Sequence, residues 1–116
     1  MPNVYTNYKT VLETSELTTL YTVGSETTAI VKSLRVSNID KENNCMFSVY
    51  LVDTNSVSYN METDRIISKG TSDELLKATS DSFHSAPIVL KESEVIKIQA
   101  QNGGDLHVIL SVLEIS

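Results

Sequence analysis

Hydrophobic and polar residues alternate along most of this chain with a period of two, the repeat of a strand that buries one face. The first run, Val4 to Glu13, puts Val4, Thr6, Tyr8 and Thr10 on one side and Tyr5, Asn7, Lys9 and Val11 on the other. Neither side is cleanly apolar, so the run reads as an edge strand or as an arm whose partner lies outside its own domain. Leu17 to Val23 is a second strand, followed by a turn at Gly24-Ser25-Glu26. Thr28 to Asn38 carries the strongest pattern: Ile30, Leu34 and Val36 point one way, and Ser33, Arg35 and Ser37 the other. Lys32 interrupts the apolar side near its start.

A polar turn, Asp40 to Asn44, leads into Cys45 to Val52, which is apolar on both faces and reads as a buried strand. Asp53 to Ser56 is the next turn, and Val57 to Met61 and Asp64 to Lys69 are two short runs. Thr71 and Glu74 have capping-box spacing, which allows one helical turn through Leu75, Leu76 and Lys77; the same stretch also fits an extended segment. Ala78 to Ala86 has no apolar period and reads as a loop holding Phe83 and His84. Pro87 to Leu90 and Glu94 to Gln101 are strands, and Asn102-Gly103-Gly104 suits a tight hairpin turn, because glycine accepts positive φ. The closing run, Asp105 to Ile115, is apolar on both sides, which places it centrally or at a subunit contact. About eight short strands with polar turns and at most one short helical turn predict an all-β chain. The fold expected is a single-domain antiparallel β-sandwich or jelly roll over residues 1–116, with residues 1–10 as an extended N-terminal arm.

Composition sharpens this picture in three ways. Serine and threonine number 27 of 116 residues and interleave with Val, Ile and Leu, which is strand composition. The net charge of −6 disfavours a sequence-independent nucleic-acid binder, which needs a basic patch to displace counterions. No run approaches the roughly 20 apolar residues of a membrane helix, so neither nucleic acid nor membrane is an expected partner. One cysteine, Cys45, makes no internal disulfide, and the start of the chain has neither a basic n-region nor an apolar h-region. Synthesis in a reducing cytoplasm is the expectation.

Reactive constellations are not apparent. Cys45 sits mid-strand and reads as a small buried hydrophobe, His107 as a strand-face side chain and His84 as a solvated loop residue. Asp40, Glu42, Asp53 and Asp64 read as turn residues rather than a calcium site, and no Cys-x-x-Cys, His-Glu-x-x-His or EF-hand spacing occurs. No catalytic residue, cofactor or metal is therefore expected. The tyrosines have polar ends that suit interfaces. Val4, Tyr5 and Tyr8 in the first run, with Phe83 and His84 in the loop, are the candidate interface residues.

Four segments carry a resemblance: Leu17–Val23 (LTTLYTV), Thr27–Asn38 (TTAIVKSLRVSN), Pro87–Ala100 (PIVLKESEVIKIQA) and the closing Leu106–Ser116 (LHVILSVLEIS). Together they resemble small virion structural proteins of tailed bacteriophages, especially marine and cyanobacterial ones. The resemblance covers about the first forty and last thirty residues. It departs at Gly24, where a proline is common, and has no counterpart over about 55–86. It implies a non-enzymatic virion protein, made in the host cytoplasm, of the capsid decoration or cement kind. Such a subunit is expected to be a homotrimer on the major capsid protein, with residues 1–9 and 80–86 as contact elements. A neck or tail connector or fibre-base subunit is the alternative, and a carbohydrate-binding host-attachment module a further one.

Overall fold

The computed structural model describes residues 3–12, 15–75, 88–100 and 106–115. Among these, every regular element is a strand: β1 (Asn3–Leu12), β2 (Thr18–Thr22), β3 (Thr28–Asn38), β4 (Cys45–Val52), β5 (Ser58–Ile67), β6 (Ser72–Glu74), β7 (Ile88–Leu90), β8 (Val95–Ala100) and β9 (Leu106–Ile115). They form two antiparallel sheets. The first runs β1-β9-β3, with β6 and β7 both on the far side of β3; the second runs β2-β8-β4-β5. The all-β sandwich expected from the period-two pattern is the fold observed.

The alternation explains the packing. Leu106, Val108, Leu110 and Val112 of β9 meet Ile96, Ile98 and Ala100 of β8 and Phe47 and Val49 of β4 in one buried core. Cys45 belongs to this core, 3% exposed. β9 lies between β1 and β3 and is central, as its two apolar sides require. The buried Asn38 is fully engaged: its amide donates to the carbonyls of Asn43 and Ile67, and its Oδ1 accepts from the Asp40 N–H. An unsatisfied amide there would cost about 1–3 kcal/mol.

Several elements differ from the sequence expectation. The first run, read as an edge strand or an arm, is an edge strand of the first sheet: Asn3 to Leu12 pair with Ile115 to Leu106 without a register shift. Its partner is in its own chain, because Thr6, Tyr8, Thr10 and Leu12 form an inward row that covers the flank of the core. The two runs around Glu62-Thr63 are one strand, β5. The polar interruption is absorbed by register shifts against β4, with Asp64 at φ 47°. Ser48 Oγ accepts the Asp64 N–H at 2.9 Å and holds the irregularity. Residues 72–74, where a helical turn was one option, are extended as β6, because Glu74 reaches the Leu34 N–H at 2.8 Å and ties the segment to β3. The hairpin expected at 102–104 does not join neighbours: β8 and β9 lie in different sheets. Those turn residues themselves are outside the described ones.

The most consequential difference is in β3. A register shift falls between Val31 and Ser33, where Lys32 is the extra residue. It reverses the alternation, so Ile30 does not join Leu34 and Val36 in the core as the pattern predicts. It shares the outer face with Ser33 and Arg35 instead.

Candidate interface on the outer face and edge of the first sheet

The register builds an apolar row on the outer face of the first sheet. Tyr5 in β1 is opposite Leu113 in β9, Leu113 is opposite Ile30 in β3, and Ile30 is opposite Val89 in β7. Directly opposed residues lie on the same face, so these four side chains cross the sheet in a line. Its two ends are exposed, Tyr5 by 75% and Val89 by 58%. Ile115 lies on the same face one step along β9. Such a line on an antiparallel sheet is unusual for a face turned to water, which normally alternates to polar.

Charge on this face differs in sign from the molecule. Lys9, Lys32 and Arg35 are exposed here, while the chain as a whole carries −6. Arg35 stands opposite Glu74, whose carboxylate is engaged by Ser33 Oγ and the Leu34 N–H. A groove of about 340 Å³ lies beside Tyr5, Asn7, Lys32 and Ser111. His107 is also exposed on this face, opposite Val11 and Ser37. Cys45 is in the core, so the two are separated by the sheet and form no nucleophile–base pair.

Two fastenings close the sandwich. At the β1–β2 side, the hydroxyls of Tyr8 and Tyr21 both donate to Glu114 Oε2, at 3.0 and 2.6 Å. Their rings are tilted against each other with centroids 4.6 Å apart. Burial, and then the Glu114 carboxylate that takes both protons' hydrogen bonds, push the two phenols above their ordinary pKa. At the β5–β6 side the bond is ionic: Arg65 meets Asp73 at 3.1 Å and Glu62 at 3.5 Å. Each fastening joins the first sheet to the second.

The sequence-derived interface residues fall in different surroundings. Tyr5 is on the outer face. Val4, 47% exposed, is on the inward row at the open end of the sandwich, opposite Glu114. Tyr8 is half-buried and spends its hydroxyl inside the chain. Phe83 and His84 lie outside the described residues. Leu113, Ile30 and Val89 were missed. Leu113 was visible as part of a second apolar side of β9, and the Lys32 interruption was the signal for the reversal that exposes Ile30.

The carboxylates near the turns have structural work. Asp40 Oδ1 accepts from the N–H groups of Glu42 and Asn43, and its other oxygen from the Asn43 amide. Those bonds, the Glu42 N–H first, lower its pKa. Asp53 Oδ1 likewise accepts from Asn55 and Val57 N–H. No group of three or more His, Cys, Asp or Glu able to hold a metal occurs among the described residues.

No protein-family model matches the chain, and no curated protein matches it. Solved structures share the fold. A chain from Bacillus endospore appendages, which form a family of disulfide-linked pili, superposes with a TM-score of 0.51 at 7% identity, over 100% of this chain and 91% of that one. A chain from the viral particle of infectious bursal disease virus superposes with a TM-score of 0.52 at 8% identity. That alignment covers 97% of this chain and only 30% of the viral one, so this chain spans under a third of its length. Likenesses at these identities establish the two-sheet fold.

Proposed function

We propose that this chain is a non-enzymatic structural subunit of a virus particle, a capsid decoration or cement subunit of a tailed bacteriophage. It would lay the outer face of the first sheet on the shell. The observation that carries the reading is the apolar row Tyr5–Leu113–Ile30–Val89, set among Lys9, Lys32 and Arg35. Covering such a row releases about 25 cal/mol per Å² of apolar area. The surrounding cations favour an acidic shell surface and orient the approach. The resemblance of four segments to tailed-phage virion proteins supports the same reading. The fold held in common with chains of a virus particle and a pilus is compatible with it. Cys45 is buried, so it is not placed to form a disulfide to a second chain.

Quantitative mass spectrometry of purified particles tests this. The expected ratio to the major capsid protein is near one or a simple large fraction of it. A few copies per particle would move the chain to the neck, tail or fibre base and overturn decoration. Absence from particles would overturn the virion reading altogether. Val89→Asp, at an exposed outer-face position, is expected to abolish shell binding while leaving the fold intact.

A further inference from the structure

β1, seen from the side away from β9, carries a second pattern. Its chemistry is a palindrome about Tyr8: Asn7 and Lys9 are polar, Thr6 and Thr10 identical, Tyr5 and Val11 apolar and outward, and Val4 and Leu12 apolar and inward. In an antiparallel pair, opposed residues share a face. Two copies of β1 aligned about Tyr8 would therefore set Thr6 against Thr10, Tyr5 against Val11, Asn7 against Lys9 and Val4 against Leu12. Moving the centre to Asn7 sets Tyr5 against Lys9. Moving it to Lys9 sets the two lysines directly against each other. Of these three alignments, the one about Tyr8 alone matches every row, and it spans nearly the whole strand.

The edge itself is suited to pairing. Among the described residues β1 has β9 as its one neighbour, so every second residue turns its N–H and C=O outward. β1 runs ten residues without a register shift, proline or acid, and Lys9 is its one charge. Two chains of net −6 would thus meet on a stretch that carries no negative charge. Self-complementarity of one segment is what a two-fold contact demands. We infer that a second copy of this chain pairs β1 to β1, antiparallel about Tyr8, and joins two first sheets into one continuous sheet. This contact uses the strand edge and does not depend on the virion reading. It is a two-fold contact, where the resemblance implies a three-fold assembly.

Analytical ultracentrifugation and cysteine cross-linking of the full chain test it. The wild type is expected to sediment as a dimer. Asn7→Lys places an amine opposite Lys9 of the partner subunit twice per dimer and is expected to weaken the dimer about tenfold. Adding Lys9→Glu to that variant restores opposite charges and is expected to restore the dimer. Under oxidation, a mixture of Asn7→Cys and Lys9→Cys chains should cross-link, while each alone should not; the native Cys45 is buried. A monomer at all accessible concentrations, a trimer, or cross-linking of either variant alone would overturn the inference. Loss of shell binding by Val89→Asp, with the dimer intact, would separate the two surfaces.

Discussion

β1 and β5 are both ten-residue edge strands, one on each sheet, and they treat the same exposed backbone groups in opposite ways. β5 shifts register twice against β4, turns through a left-handed residue at Asp64, and carries Glu62, Asp64 and Arg65. Bulges and charge on an edge are the means by which sheets refuse further strands. β1 is far less guarded: its register is unbroken, and Lys9 is its one charge. Of these two edges, β5 is the more guarded and β1 the less. The fastenings beneath the edges differ in kind as well. β1 rests on Tyr8 and Tyr21 sharing the Glu114 carboxylate, and β5 on a part-exposed ion pair to Asp73.

The largest expected effect is one that strikes both edges together. Phe47 is fully buried in the core they share, and Phe47→Ala should cost about 3–5 kcal/mol in urea unfolding. A much smaller loss would mean that the two sheets are not held by a common core. Glu114→Ala is next, because Tyr21, 3% exposed, loses the acceptor of its hydroxyl. A loss of about 1–3 kcal/mol is expected, with β1 and β2 amides exchanging faster and those of β5 unchanged. Equal loosening at β5 would contradict separate fastenings.

Alkaline pH probes the same cluster. Folding raises both phenol pKa values above the ordinary 10.0, so the folded chain holds protons that the unfolded chain releases. Stability from these groups is full below about pH 10 and falls as pH rises above it. In Tyr21→Phe the fall should be shallower, measured as the urea midpoint against pH. The smallest effect belongs to the closed edge. Asp73→Ala removes the Arg65 pair across part-exposed side chains and should cost about 0.2–1 kcal/mol, less at high salt.

The fold class was legible because a buried face repeats every two residues, whatever the strand order. The β9 pattern of Leu106, Val108, Leu110 and Val112 needed nothing else to be read as core. Register was not legible. The apolar row needs Tyr5, Leu113, Ile30 and Val89 aligned from strands far apart in sequence, and one of them is outward only because Lys32 is inserted into β3. Nor could the sequence show that Glu114 is the acceptor for two tyrosines, since it lies 106 residues from Tyr8 and 93 from Tyr21. That Tyr8 faces inward and gives its hydroxyl to Glu114 was not legible either, because an edge-strand pattern does not reveal which side a neighbouring sheet will cover. Tyr5, on the other side of that strand, is on the candidate interface.

The contrast between the edges is tested most directly by hydrogen–deuterium exchange of the intact chain over a range of concentrations. The β1 amides are expected to gain protection as concentration rises, while those of β5 exchange at a constant rate. Protection that grows at β5, or β1 exchange independent of concentration, would contradict it.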